Sequence, residues 1–128
     1  MSPSKYYQTK EYFIAYSIMI NAARHQGFAT YQEIAQAVGL PTAGSFMAGE
    51  IGELIGAVAQ NEVSLGRPML SSIVVGINGK PGKGYYDWAR NLGVLKDGDD
   101  EEQIWNFECK KIYEEWKIPY RVSKTKLT

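Results

Sequence analysis

The sequence predicts a single small α+β domain that is mainly helical. Apolar or small residues recur at helical spacing in four segments, whereas a β-branched apolar run typical of a strand occurs once, at residues 69–77. Glycine and proline residues separate these segments as turns and helix ends. A chain of 128 residues is long enough to bury one hydrophobic core and too short for two.

Helices are predicted where the apolar spacing is clearest and where capping residues mark the ends. A Thr-x-x-Glu capping box from Thr30 to Glu33 opens the second helix, and Gly39 is placed to end it. Gly66 and Pro68 end the third helix. The predicted helices span residues 9–27, about 31–38, from 42 or 45 to about 65, and about 101–116.

The segment between the third and last helices predicts a strand followed by a basic, glycine-rich loop. Residues 69–77 form the strand, residues 78–84 the loop, and residues 85–92 a brief strand or turn that passes into a helical turn. The strand's predicted buried members are Leu70, Ile73, Val75 and Ile77. The single domain thus has a core over about residues 10–95, a C-terminal helix over about 100–117 and a basic tail over 118–128.

Three helices followed by a strand and a glycine-rich loop are the element order of a winged helix-turn-helix domain. The run Thr-Tyr-Gln-Glu-Ile-Ala at 30–35, the Gly-Leu-Pro at 39–41 and the Tyr-Asp-Trp-Ala at 86–89 resemble the DNA-binding domain of alkyltransferase-like proteins. The resemblance spans roughly residues 14–95. It implies a winged-helix core, here with an additional C-terminal helix, and DNA contact through the third helix, from which that family inserts an arginine into the base stack.

Two departures from that family bear on function. The family's Pro-Cys-His-Arg or related motif corresponds here to Leu70-Ser71-Ser72-Ile73, so the alkyl-acceptor cysteine is absent. The segment 44–65 contains Glu50, Glu53 and Glu62 and neither lysine nor arginine, so phosphates would repel it. We therefore expect the family's fold without its chemistry and without its DNA-reading helix.

The charge balance leaves room for a local DNA-binding surface. With 14 basic and 14 acidic side chains the net charge is zero, so contact with double-stranded DNA must come from a basic patch. Cations interleaved with aromatic rings around the loop favour such a patch. The predicted nucleic-acid-binding residues are Arg67, Lys80, Lys83, Tyr85 and Arg90. The basic tail is expected to add to them.

A protein-interaction module is the alternative hypothesis, with the acidic third helix as its docking face. Its glycines recur at helical spacing, although glycine destabilises a helix relative to alanine, and either tight packing or a binding surface explains them. The predicted partner-binding residues are Gly49, Glu50, Gly52, Glu53 and Gly56.

Catalysis is the least favoured class, and we predict no catalytic residue, metal or cofactor. The lone His25 fits a helix cap, Cys109 fits a buried inert thiol, and Glu108 with Glu115 fits a solvated acidic face. One cysteine and one histidine cannot supply a structural zinc site or an internal disulfide. A site of carboxylates brought together only by the fold remains an alternative.

Without a span of about 18 apolar residues or a signal segment, we expect a cytoplasmic protein with no membrane partner.

Overall fold

The computed structural model describes residues 4–118. Within this range the order of elements is α1 Lys10–Arg24, β1 Ala29–Thr30, α2 Tyr31–Val38, α3 Gly44–Ser64, a 3-10 helix Leu70–Ile73, β2 Val74–Val75, α4 Lys83–Asn91 and α5 Glu101–Trp116. The predicted mainly helical α+β class is confirmed. All but one residue of the predicted basic tail lie outside the described residues. No helix of the described part is long and apolar enough to cross a bilayer.

Local capping chemistry sets the ends of the first two helices. The Thr9 side chain accepts a hydrogen bond from the Tyr12 backbone N–H at the start of α1. Thr30 and Glu33 form both halves of the predicted capping box of α2. Gly39 ends α2 with a φ of 81°, a left-handed conformation in which a residue with a Cβ is strained. The two starts and the end of α2 follow the local sequence as expected, whereas α1 ends at Arg24 and not at residue 27.

The predicted strand over residues 69–77 is wrong over most of its length. Residues 70–73 form the 3-10 helix, and only Val74–Val75 pair, in parallel, with Ala29–Thr30. Ile77, expected to be buried, is 86% exposed. The reason lies in α5, whose side chains hydrogen-bond the backbone of this segment and so replace the ladder of a longer sheet.

The segment after the loop is also more helical than predicted. Residues 83–91 form α4 rather than a brief strand or turn, with Tyr85 and Ala89 on its buried face. The loop before it is closed by the Gly76 N–H, which donates to the Lys80 carbonyl at 2.8 Å. The chain therefore passes from the loop directly into a helix.

The core is built around α3. Ile51, Leu54 and Val58 of α3 are fully buried, and α1, α2 and the 3-10 helix pack against this helix. The long α5 packs against the 3-10 helix and α1, where Cys109 and Ile112 are buried. This packing leaves α3 with one remaining side, which α4 covers only in part.

Gly49, Gly52 and Gly56, the three glycines in the interior of α3, have different surroundings. At Gly56 the Trp88 indole donates its Nε1–H to the Gly56 carbonyl at 3.0 Å, and a Cβ there would lie 3.4 Å from that nitrogen. A Cβ on Gly49 or Gly52 would meet no atom within 4 Å. Tight packing therefore explains Gly56, whereas the other two glycines leave open space.

Leucine placed at two of these glycines is expected to have opposite effects on stability. Gly49→Leu should raise the free energy of unfolding by about 0.5 kcal/mol, because it improves helix propensity at an exposed site. Gly56→Leu should lower it by about 1 to 3 kcal/mol, because the side chain displaces Trp88. Urea denaturation followed by circular dichroism measures both. Equal effects of the two variants would show that Trp88 does not pack on Gly56 as described.

Candidate functional site

A pocket of about 600 Å³ opens between α3 and α4, with α2 and the 3-10 helix forming its remaining walls. This volume is within the range of pockets that hold small organic ligands. Its walls are mainly apolar, with a few polar groups among them. The side chains that line it include Tyr31, Gln32, Met47, Met69, Ser71 and Trp88.

Two aromatic rings of the pocket are held by hydrogen bonds to backbone. Trp88 is fixed by its bond to the Gly56 carbonyl, and the Tyr31 hydroxyl accepts the Gly82 N–H at 2.7 Å. Burial raises the pKa of Tyr31, so its hydroxyl stays protonated at neutral pH. The pocket thus offers rigid planar walls on two sides.

Two of the residues that line the pocket, Gln32 and Ser71, have side-chain oxygen atoms without a hydrogen-bond partner in the described part of the chain. The Gln32 Oε1 atom is buried and accepts no hydrogen bond. Ser71 is only 3% exposed, and its hydroxyl makes no hydrogen bond within the described part of the chain. By contrast, the hydroxyls of Ser72 and Tyr85 are bonded to each other at 2.5 Å. The Gln32 Oε1 atom has almost no accessible surface, so Ser71 is the lining residue whose unpaired hydroxyl is open to a ligand.

The N-terminus of α4 forms one edge of the same pocket. Gly82, Lys83 and Gly84 line it, and Lys83 is exposed. The backbone N–H groups of the first turn of a helix have no acceptor within the helix, and its dipole favours an anion there. The carboxylate of Asp87 lies on the same rim and offsets part of this positive field. The rim therefore combines N–H donors and one lysine with an apolar interior.

Lys80 and Arg90 are not part of the pocket lining and lie beside acidic residues at the start of α5, which neutralise them. Lys80 Nζ is 3.6 Å from Glu102 Oε1, and Arg90 Nη2 is 2.6 Å from Glu101 Oε2. Arg90 also lies 3.7 Å from Asp87. The sequence predicted these two cations as free phosphate contacts, and the structure shows them in exposed ion pairs.

Arg67 has a structural environment and lies apart from the other predicted cations. Its guanidinium makes a bidentate pair with the fully buried Glu62, with distances of 2.9 and 2.6 Å, and stacks over the Trp116 ring. The hydrogen bonds to Glu62 raise the pKa of Arg67. The Tyr16 hydroxyl donates to the same carboxylate.

Arg67 lines a different pocket, of about 850 Å³, with Lys96 and Lys111. Glu62, expected on an acidic outer face, is instead a buried counterion.

Tyr85 does not provide the stacking surface that the sequence predicted. Only 7% of the residue is exposed, and burial raises the pKa of its hydroxyl. The ring packs edge-on against Tyr86, with 5.1 Å between centroids. The apolar spacing of α4 places Tyr85 with Ala89 on the core face, a pattern that could have indicated this burial.

The residues weighed as catalytic candidates have structural roles. His25 Nδ1 bonds the Asn21 carbonyl at 2.9 Å, and His25 caps α1 as predicted. Cys109 is buried, as predicted, and burial raises the pKa of its thiol to about 12. Glu108 is 2% exposed, so the prediction of a solvated face is wrong for it. Its place on the apolar stripe with Cys109 and Ile112 was the available signal.

The described residues hold no group of three or more His, Cys, Asp or Glu side chains placed to bind a metal ion. Comparison of the chain with family models, with curated proteins and with solved structures finds no match. Its function must therefore be argued from the pocket and the charges around it.

The Arg67–Glu62 pair is expected to matter for folding. Arg67→Gln should lower the free energy of unfolding by about 3 kcal/mol, because it leaves a fully buried carboxylate without its counterion. The matched control Arg90→Gln, which removes exposed ion pairs, should cost less than about 1 kcal/mol. Urea denaturation measures both values. A loss for Arg67→Gln as small as that of the control would contradict a structural role for this pair.

Proposed function

We propose that the protein is a non-catalytic DNA-associated binding module of winged-helix type, and that DNA meets it at the pocket between α3 and α4. The observation that carries this proposal is the joining of a planar-walled apolar pocket to the N-terminus of α4 and Lys83. A phosphate is the anion best suited to such a helix end, and a base is the group best suited to stack between aromatic walls. A nucleotide extruded from a duplex supplies both.

The charge arrangement supports DNA contact of modest strength. Lys83 is exposed, and the nearby pairs of Lys80 and Arg90 are exposed too, so each pair contributes little to stability and phosphates can compete for the cations. With a neutral chain, such contacts should weaken steeply as salt rises.

The resemblance to alkyltransferase-like proteins adds support to the proposal. Ser71 occupies the position of the cysteine in the motif that this family carries, and Ser71 lines the pocket. Among the described residues, no side chain that could act as a general base hydrogen-bonds the Ser71 hydroxyl. A serine without an activating partner favours binding over group transfer.

A protein partner on α3 is the second candidate, favoured by one observation. Phe46 at the start of α3 is 64% exposed, and the space above Gly49 and Gly52 is open. Of the other predicted partner-binding residues, Glu53 is exposed and accepts from Ser4 Oγ at 2.9 Å. The remaining two residues, Glu50 and Gly56, already make contacts within the domain. Lys5 and Tyr6 bind the Glu50 carboxylate and lower its pKa, with the Tyr6 bond the larger cause, and Gly56 is covered by Trp88.

Neutralising Lys83 is expected to weaken DNA binding. Lys83→Gln should raise the Kd for a fluorescein-labelled duplex by about threefold to tenfold and should reduce the salt slope by about one, because one phosphate contact is lost. Fluorescence anisotropy at about 50 mM salt measures this. Lys110→Gln, the same change on the exposed side of α5, is the control and should leave the Kd unchanged.

Two results would contradict this function. Absence of duplex binding by the wild-type chain at about 50 mM salt, where phosphate contacts are strongest, would exclude DNA association. An equal effect of Lys83→Gln and Lys110→Gln would exclude the α4 N-terminus as the contact. If Phe46→Ser abolished duplex binding and Lys83→Gln kept it, the result would instead favour α3 as the binding surface.

Removal of the acidic partners at the start of α5 is expected to strengthen DNA binding. The double variant Glu101→Gln, Glu102→Gln frees Lys80 and leaves Arg90 with only its 3.7 Å pair to Asp87, so its Kd should fall several-fold and its salt slope should steepen. The double variant Glu114→Gln, Glu115→Gln makes the same charge change at the other end of α5 and should have little effect. An unchanged Kd in the first variant would show that Lys80 and Arg90 do not face DNA.

A further inference from the structure

We infer that the pocket between α3 and α4 also binds a small aromatic acid, with its carboxylate at the start of α4 and a polar substituent of its ring at Ser71. This inference goes beyond the proposed function, because binding of a free acid requires no DNA. Two features of the pocket carry it: hydrogen-bond donors without acceptors at one edge, and a buried, unpaired hydroxyl in a mainly apolar wall.

The start of α4 has backbone donors that the fold leaves unused. The described residues provide no side-chain cap for this helix. The N–H groups of Lys83 and Gly84 have no acceptor among them either, whereas the Tyr85 N–H donates to the Gly82 carbonyl at 3.1 Å. A side chain on Gly84 would begin in open space, so an anion has room to approach. Two neighbouring N–H donors match the two oxygens of a carboxylate, and the helix dipole favours its charge.

Two side chains at the same edge add donors. The Tyr31 hydroxyl accepts the Gly82 N–H at 2.7 Å, and burial raises its pKa, so it keeps a proton that it can donate to a ligand. The exposed Lys83 ammonium brings a positive charge. Asp87 also lines the pocket, but its exposed carboxylate lies 3.7 Å from Arg90 Nη1, which offsets its charge. The edge therefore has more donors than acceptors, as an anion site requires.

The interior of the pocket restricts the rest of the ligand to a planar, mainly apolar body. The rings of Tyr31 and Trp88 provide flat walls, and Met47 and Met69 provide apolar contact. The indole N–H of Trp88 is already bonded to the backbone of α3. A polar group buried in such an interior is costly unless a partner pairs it.

Ser71 supplies that partner. It is 3% exposed and lines the pocket, and its hydroxyl makes no hydrogen bond within the described part of the chain. The hydroxyl of the neighbouring Ser72 is instead bonded to Tyr85 at 2.5 Å. A serine hydroxyl both donates and accepts, so one hydroxyl on the ligand ring can pair with it. The volume of about 600 Å³ is sufficient for an acid with two fused rings.

Isothermal titration calorimetry with 2-naphthoate tests the anion site. The wild-type chain should bind 2-naphthoate about tenfold more tightly than the neutral 2-naphthamide, which has the same rings, because a charged acceptor forms stronger hydrogen bonds. Lys83→Gln should raise the Kd for the acid several-fold and leave that for the amide unchanged. Lys110→Gln, on the exposed side of α5, is the control and should change neither.

Lys83→Pro separates the backbone donor from the ammonium. Proline is favoured at the first position of a helix, and Gly82 before it has φ −73° and ψ 171°, an extended conformation that suits a residue before proline. Both Lys83→Gln and Lys83→Pro remove the charge, but only the second removes the N–H. Its Kd for 2-naphthoate should therefore be higher by about a further tenfold. Circular dichroism should show both variants folded, and equal Kd values would exclude the start of α4 as the carboxylate site.

Isomers of 2-naphthoate with one hydroxyl on the second ring test Ser71. At least one isomer should bind several-fold more tightly than 2-naphthoate, because its hydroxyl pairs with the buried serine. Ser71→Ala should remove this gain and leave the Kd for 2-naphthoate itself unchanged. A gain that survives in Ser71→Ala, or the absence of a gain with every isomer, overturns the role of Ser71.

The outcomes separate this inference from the proposed function. Duplex binding without binding of 2-naphthoate, or equal affinity for the acid and the amide, overturns the inference and leaves the DNA function intact. Lys83-dependent binding of 2-naphthoate without duplex binding supports the inference and excludes the DNA function.

Discussion

The buried carboxylate of Glu108 is the contact on which the arrangement of the site depends. Its Oε1 accepts the Met69 N–H at 2.9 Å, and Lys111 compensates its charge from the solvent side at 2.5 Å. Trp105, one turn earlier on α5, donates to the Ser72 carbonyl at 2.8 Å. These bonds tie α5 to the segment 69–73 and hold it as a 3-10 helix, since they satisfy backbone groups that a strand would have paired.

The geometry of the pocket follows from that attachment. The segment held by α5 brings Met69 and Ser71 to the pocket, with Met69 directly before the 3-10 helix and Ser71 within it. The same attachment brings the acidic start of α5 beside Lys80 and Arg90. One helix therefore positions part of the pocket wall and also neutralises two cations of the neighbouring segment.

The ion pairs of this neutral chain are of two kinds, buried and exposed. Glu62 and Glu108 are buried and paired with Arg67 and Lys111, where removal of one partner is costly because a charge stays in the interior. The pairs around the loop are exposed and exchangeable. Arg67 therefore serves the fold, whereas Lys80 and Arg90, in exposed pairs, are cations for which we propose that a phosphate competes.

The sequence by itself determined the four longest predicted helical segments and the capped start of α2, because periodicity and caps are properties of neighbouring residues. It also identified Cys109 as a buried thiol from its place on an apolar stripe. Only the tertiary structure decided that residues 70–73 are a 3-10 helix, that Tyr85 is buried, and that Gln32 lines a pocket. The partners that decide these features are distant in sequence: Glu108 is 39 residues from Met69, and Trp88 is 32 from Gly56. Contacts over such separations depend on how helices pack, which local patterns do not encode.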